Sequence, residues 1–586
     1  MRAETMQAES LNKSAIDGVT VEVIRNYLIS AAEEMRATLI RTAFNPVIYD
    51  VLDFGISIYD KNLDLIAEAP GLTSFLGAND YSIVKGVEYV GVENIKAGDV
   101  LLMNYPYWNS AHTSDATLFS GVFEPGVASP EAYLCVRAHW IDLGAKDPGY
   151  VLDSTDMHQE GLVFPGTRIF KEGKADPEWL ALLRFNSRMP DILIGDLNAM
   201  VASLRTGERR VQQILERFGR EQVRAAIVAF LDHGERLTRK AIEQLPQGSW
   251  TAVDWCDDDG ISDDPIKMQV TVTVKDGSVE VDFAGSSPAV RGPVNMPFGA
   301  TIALAKVFLK SITTPTEPGN AGHGRPLVVK AEPGTLFHAV YPSATFTLWT
   351  GIVALELLFK AAAQGMPELV AASSGGDVPG FMMLGIHPDS GRPFALSNND
   401  PVGWGGTSTH DGCDATIHMS ESIVRNTPVE ILETRTTMLF DCVEMHMDSG
   451  GPGRWRGGVG IRRDIRFLTD GEFISVAKKT KTRPWALDGG LEPEPNAFVL
   501  FPGTEKEKRV GTYRTPVKAG DHVLNLTAGG GGYGHPFLRE PERVREDVLD
   551  ELVSPEQAES RYGVRLDGFG KILGLTPERE AYASGR

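Results

Sequence analysis

At 586 residues the chain exceeds what one hydrophobic core covers, and roughly three or four domain-sized units are expected. The apolar fraction of 42% and the charged fraction of 23% are ordinary for a soluble globular protein, and the formal charge of -21 excludes nucleic acid and anionic membrane as partners, since both need a cationic face. Four scattered cysteines (Cys135, Cys256, Cys413, Cys442) form no Cys-x-x-Cys pair, which points to reduced thiols and excludes a thiolate zinc site. Met1 to Ser14 is polar, without the apolar core of a signal peptide, and no long apolar run follows, so a cytoplasmic location is expected.

Residues 1–16 read as a flexible tail. From Asp17, apolar residues at Ile24, Leu28, Ala31, Met35 and Leu39 recur at three- and four-residue spacing and predict a long amphipathic helix. It should fade at Phe44-Asn45-Pro46, because a residue before proline is pushed out of the α region. Asp53 to Ala67 predicts a hairpin about a polar turn, followed by a Gly-rich segment and a short helix. Gly98 to Asn104 predicts a strand that leads into Asn104-Tyr105-Pro106-Tyr107-Trp108-Asn109-Ser110-Ala111-His112-Thr113-Ser114-Asp115.

Two strand-like runs follow, 116–123 and 132–138, with Glu124-Pro125-Gly126 to Pro130 supplying turn chemistry between them. Folding this hairpin about residues 127 and 128 sets position 116 opposite 139, so His112, Asp115 and His139 converge at its open end. Two neutral imidazoles and a carboxylate suit a divalent ion such as zinc, manganese or iron and leave positions open for water or substrate. The same residues also fit hydrogen-bonding histidines beside a turn. Asp142 stands where it can orient a ligand imidazole, and Tyr105, Tyr107, Trp108 and Trp140 are candidates for the walls of a small pocket.

Past Gly144 the chain reads as irregular, then helical from about Pro190 to Leu245 and β from Ala252 to Phe283 around a Lys275-Asp276-Gly277 turn. Helices are expected over 300–312 and 350–365. From Ser373 glycine becomes dense and strands short, and polar helices return over 541–562. The Gly529 to Gly534 run reads as a tight backbone crossing, since neither a helix nor a Lys-Ser/Thr pair follows it as a phosphate loop requires. Thr409 to His418 is a second polar cluster, either a solvated loop or a source of acid–base groups in His410 and His418. Glu160, Asp50 and Asp53 are weaker candidates of the same kind.

The expected fold is mixed α/β (α+β) and multidomain, with an N-terminal helix and β-hairpins carrying the metal site and a Gly-rich, β-containing C-terminal half. The units are a tail over 1–16, a metal-site domain over 17–250, a mixed α/β substrate and interface region over 251–515, and a Gly-rich strand with a helical tail over 516–586.

Several motifs together resemble the B-type chains of the hydantoinase/5-oxoprolinase family, which also includes subunits of ATP-dependent ketone carboxylases. They are Asp53-Phe54, Asn104 to Tyr107, His112-x-x-Asp115, Arg137-Ala138-His139, Glu160-Gly161, Gly195-Asp196-Leu197, Asn320-Ala321-Gly322, Arg425 to Glu430, Asp448 to Gly458 and Gly529 to Pro536. The resemblance implies a hetero-oligomer, such as a heterotetramer, in which an A-type ATPase subunit takes up ATP and Mg and phosphorylates the substrate or an activated intermediate. The B-type chain would then hold a divalent metal at His112, Asp115 and His139, and open a small cyclic amide or carboxylate a ketone. His410 or His418 would move protons, with Glu160 and Asp142 as further site candidates. The favoured expectation is an ATP-dependent cyclic-amide hydrolase, with ketone carboxylation as the alternative and a non-catalytic scaffold below both. Many members carry a second histidine where this chain has Trp140, and the ring-opening members often carry a Glu-Arg pair where this chain reads Tyr49-Asp50-Val51-Leu52.

Overall fold

The computed structural model describes residues 16–421 and 423–585, so the tail expected over 1–16 lies, except for Ile16, outside the described residues. Helix α1 (Gly18–Thr42) starts at Asp17, whose Oδ1 accepts from the Thr20 amide at 3.0 Å. It ends at Ala43, three residues ahead of Pro46, and buries Ile24, Leu28, Ala31, Met35 and Leu39.

That apolar face rests on a seven-stranded, wholly antiparallel sheet in the order β2-β1-β5-β4-β3-β6-β7. The strands are β1 (Phe54–Asp60), β2 (Leu65–Ala69), β3 (Val100–Met103), β4 (Asp115–Val122), β5 (Ala132–His139), β6 (Pro165–Lys171) and β7 (Lys174–Ala175). Strands β1, β4 and β5 are buried along their whole length because helices cover both faces. Leu118, Val122, Leu134 and Val136 join the cluster formed with α1 and α2 (Pro190–Phe218), while Phe119, Tyr133 and Cys135 join Ile83 and Val87 of α3 (Thr73–Val90). Since successive side chains alternate between faces, Asp115, Thr117, Arg137 and His139 belong with Phe119 and Cys135 on the α3 face.

Three features of this unit depart from the sequence reading. The hairpin register is one residue away: Asp115, not Ala116, pairs with His139. A one-residue slip exchanges faces, so the observed register is what brings both side chains to the same side. The short helix expected after β2 is the 18-residue α3, and the stretch expected to be irregular after Gly144 contributes β6 and β7 to the sheet edge. The helical run from Pro190 is two helices, because Gly219 at φ +78° ends α2 and starts α4 (Arg220–Gln244).

A four-stranded sheet follows, built from β8 (Gly248–Cys256), β9 (Ile266–Lys275), β10 (Ser278–Asp282) and β11 (Leu327–Lys330). Its buried face packs on α5 (Phe298–Thr313) and α6 (Thr350–Ala362) in an apolar cluster from Ile242 to Val370. Two further antiparallel sheets, between Gly380 and Leu526, share a cluster containing Phe381, Phe467, Phe473 and Phe498. Beside them the Gly529–Gly534 run is a backbone crossing. The Gly530 amide donates to Gly458 O at 2.9 Å and the Gly458 amide to Trp404 O at 2.8 Å, and a Cβ on Gly530 would stand 2.0 Å from Trp404 O. Among the described residues no helix is long and apolar enough to cross a membrane.

Candidate metal centre

The loop that delivers the first imidazole is pinned at both ends. Asn104 Nδ2 donates to Thr113 O (2.7 Å) while its Oδ1 accepts from the Phe164 amide, and Asn109 Nδ2 donates to Asp115 O at 2.6 Å. Ser110, in the left-handed region at φ +62°, turns the chain between Asn109 and His112. Strand pairing then sets the other two groups. Asp115 Oδ1 lies 3.0 Å from His139 Nδ1, and Asp115 Oδ2 lies 3.3 Å from His112 Nε2. One donor atom from each of the three residues falls within 4.8 Å of the others. Asp53 continues the β1–β5 register by one residue and accepts from the His139 amide with its carbonyl, so Asp53, His139 and Asp115 form a row across three adjacent strands.

This row closes one side of a cavity of about 100 Å³. Its walls include Phe75 from α3, Leu304 from α5, Trp349 and Ile352 around the start of α6, and Tyr150. Ser420 and Glu421 also line it. Phe346 stacks on the His112 ring with centroids 4.9 Å apart.

The electrostatics suit a cation. Burial pushes the Asp115 carboxyl upward, but His112, His139 and Arg137 outweigh it and hold it below the usual carboxylate range. Burial pushes His112 down to about 4, leaving the neutral imidazole that ligation requires. Burial acts on His139 in the same direction, but its bond to Asp115 and the Asp115 and Asp53 charges prevail and raise it. Burial lifts Asp53 to about 7, with His139 opposing and Asp115 adding, and Glu421 to about 8, with Asp53, Asp377 and Asp115 adding. His112 Nδ1, Asp115 Oδ2 and Asp53 Oδ1 are buried without a hydrogen-bond partner. Unpaired buried acceptors are costly unless something fills them, so this donor set fits a divalent ion. A second group of possible ligands, Asp441, Asp464 and His522, is partly exposed, and Arg466 already pairs with Asp441 at 2.7 Å.

The family model described as Hydantoinase B/oxoprolinase matches residues 17–536. The chain belongs to this family. The B-type chain of a putative D-/L-hydantoinase from Pseudomonas sp. (strain NS671) is 30% identical over 585 residues, covering 95% of this chain and 96% of its own. The beta chain of the caprolactamase of Pseudomonas jessenii is 27% identical, covering 95% and 98%. The crystal structure of ATP-dependent caprolactamase from that organism superposes with a TM-score of 0.87 at 26% identity, covering 97% of this chain and 99% of the other. Acetone carboxylase in its nucleotide-free structure gives the same TM-score at 18% identity, covering 97% and 82%, which shows a shared fold.

Within this hydantoinase B/oxoprolinase chain the other sequence candidates are dispersed. Asp142 is buried but turned to Arg188, accepting from its amide at 2.5 Å and its guanidinium at 3.0 Å, and also from the Gly144 amide. Glu160 accepts from Ser154 Oγ and from the Thr345 and Phe346 amides, so it fixes the segment that sets Phe346 against His112. Burial raises its carboxyl to about 7. His410 is exposed, bonded to Thr407 and Thr409, and absent from the cavity wall. His418 is fully buried, with Nδ1 2.9 Å from Ser420 Oγ and Nε2 3.0 Å from Glu356 Oε1. The Ser420 amide also donates to Nδ1, so in the neutral ring Nδ1 is the acceptor and Nε2–H donates to Glu356.

The aromatic wall differs from the expected one. Trp140 follows His139 on the opposite face of the sheet and is buried in the α1–α2 core, and Tyr105, Tyr107 and Trp108 pack with one another and with Met157. Tyr150, Phe346, Trp349, Ser420 and Glu421 carried no recognised signal in the sequence. Asp53 carried one, since correct pairing of β1 with β5 places it opposite His139.

Proposed function

We propose that this chain is the metal-binding subunit of a heteromeric, ATP-dependent cyclic-amide hydrolase that works with an A-type ATPase subunit. The observation that carries the reading is the convergence of His112, Asp115 and His139 on a small cavity, with buried donor atoms unpaired, in a family whose relatives include a hydantoinase B-type chain and a caprolactamase beta chain. An unstrained amide resists hydrolysis, and phosphorylation on the partner would supply the missing leaving group.

His112, Asp115 and His139 would hold the ion, zinc, manganese or iron. When bound, it polarises a carbonyl or lowers the pKa of water. The chain's own acid–base group is His418. Its Nδ1 lone pair faces the Ser420 hydroxyl on the cavity wall, and Glu356 behind Nε2 stabilises the imidazolium that forms when a proton arrives through Ser420. Glu160 acts through Phe346, holding the surface on which His112 is stacked.

The test is co-purification with an A-type ATPase, followed by assay with ATP on a lactam and a ketone, with and without bicarbonate. ATP-dependent ring opening supports the reading. Carboxylated ketone with the lactam untouched replaces hydrolysis by carboxylation.

A further inference from the structure

The Asn320-Ala321-Gly322 motif is absent from the wall of the metal-centre cavity and lines a second one, of about 530 Å³ against about 100 Å³. The two cavities share no wall residue. The larger lies among β2, α3, the C-terminal half of α5 and residues 315–325. Asn320 Oδ1 accepts from the Gly322 amide at 2.9 Å, and a Cβ on Gly322 would stand 1.9 Å from Leu231 O, so the motif folds as a tight turn against α4. Gly319, just before it, comes so near β2 that a Cβ there would stand 2.1 Å from Glu68 Oε1.

Glu68 pairs across the ladder with Ser57, whose hydroxyl accepts from Asn79 Nδ2 of α3, so its side chain faces α3 and the cavity. Among the described residues no hydrogen-bond donor meets its carboxyl and no cation stands within ion-pair distance. The cations of the wall have other partners. Lys306 pairs with Asp80 at 2.5 Å, Lys310 donates to Thr314 O and Glu317 O, and Arg325 pairs with Asp232 and Glu235. Asp64 adds a second carboxylate, and Leu76, Val84, Val307, Leu309 and Pro315 supply aliphatic surface. Burial, with Asp80 adding and Lys310 and Lys306 opposing, lifts the Glu68 carboxyl to about 7. Protonated or ionised it keeps an acceptor oxygen, and a cation beside it draws it into the ionised form.

We infer that this cavity is a second ligand site, which takes the ammonium end of an aliphatic primary amine with Glu68 as its counter-ion. The head group supplies the donors that Glu68 lacks, and an alkyl chain covers the aliphatic wall. The inference goes beyond the function proposed above and does not depend on it. Two sources carry such an end: simple amines, and ω-amino acids of the kind that opening a lactam releases.

Hexylamine, 6-aminohexanoate, hexan-1-ol and hexanoate are titrated into the full Mn-loaded chain by isothermal calorimetry at pH 8. Hexylamine should bind at least about tenfold more tightly than hexan-1-ol or hexanoate, and Glu68→Gln should shrink that advantage to within about threefold at unchanged metal content. Val307→Trp fills the cavity, leaves Glu68 in place and should abolish binding. Moving from pH 8 to pH 6 protonates Glu68 and should weaken hexylamine about tenfold in the parent, with no such change in Glu68→Gln. His323 in the same wall stays neutral over that range, because burial, with Lys310 and His233 adding, pushes it down to about 4. His112→Ala should bind hexylamine as the parent does; loss of binding there places the amine on the metal and overturns the site. Hexylamine bound no more tightly than hexan-1-ol, or equally well by Glu68→Gln or Val307→Trp, also overturns it. With the site upheld, 6-aminohexanoate within about threefold of hexylamine marks ring-opened amino acids as ligands, and a loss of about tenfold or more assigns the site to simple amines.

Discussion

Asp115 sits directly across the β4–β5 ladder from His139, its Oδ1 3.0 Å from Nδ1, and its second oxygen faces His112 three residues earlier. Two of the three candidate ligands are therefore held by the hydrogen-bonding register of a buried hairpin. A site built on strands is positioned more tightly than one built on loops, and the unpaired atoms it leaves are a property of the fold.

His112→Ala removes one ligand from the pinned loop and leaves the ladder intact. Metal content after dialysis, read by elemental analysis, should fall by about 100-fold in affinity, and ATP-dependent turnover should fall with it. Circular dichroism should be unchanged. Full metal occupancy and full turnover in this variant would remove the assignment.

His418→Gln deletes the base behind Ser420 without touching the three ligands. Turnover should drop about 10²- to 10³-fold while metal content stays at the unaltered level, and Ser420→Ala should show a smaller loss. A His418→Gln enzyme working within threefold of the parent contradicts the proton-transfer role.

Glu160 predicts the direction of a pH effect. Its carboxyl is raised by burial from an ordinary value of 4.5 to about 7 in the folded chain. Between those values the folded state keeps a proton that the unfolded state has lost, so stability declines as pH rises through this window and levels off above it. Glu160→Gln keeps the acceptor for the Thr345 and Phe346 amides and has no proton to lose. Relative to the parent it should gain up to about 3 kcal/mol on moving from pH 5 to pH 8, read from urea unfolding at each pH. An unchanged difference between the two chains across that range would contradict the assignment of this slope to Glu160.

The glycine crossing predicts a contrast between two alanine substitutions. A Cβ on Gly403 would stand 1.8 Å from Gly458 O, whereas nothing lies within 4 Å of one on Gly503, which only has a φ of +72°. Gly403→Ala should therefore cost more than about 3 kcal/mol or abolish soluble protein, and Gly503→Ala about 1 kcal/mol. Thermal unfolding of both distinguishes packing from backbone strain.

Periodicity read the first unit well where the structure is local. The α1 face, the strands of the hairpins and the residue types of the ligand trio follow from spacings of three, four and two residues. The register was read one residue away, because the loop between β4 and β5 fixes it and loop geometry leaves little trace in composition. The end of α2 at Gly219 and the strand at 165–171 were missed for a related reason. A single glycine inside a helical pattern and a short edge strand are both weak local signals that packing decides.

By itself, then, the amino-acid sequence determined that a hairpin carries two imidazoles and a carboxylate at its open end, since side-chain alternation and turn chemistry act over a few residues. Only the tertiary structure decided what closes over that hairpin. Tyr150, Trp349, Ser420 and Glu421 reach the cavity from distant parts of the chain, Phe346 stacks on His112, His418 is buried against Glu356, and Asp142 and His410 are engaged with other partners. A chain with 78 acidic residues offers candidate carboxylates everywhere. Which of them lose water and acquire neighbours is fixed by long-range packing, and that burial is what turns an ordinary carboxylate into part of a site.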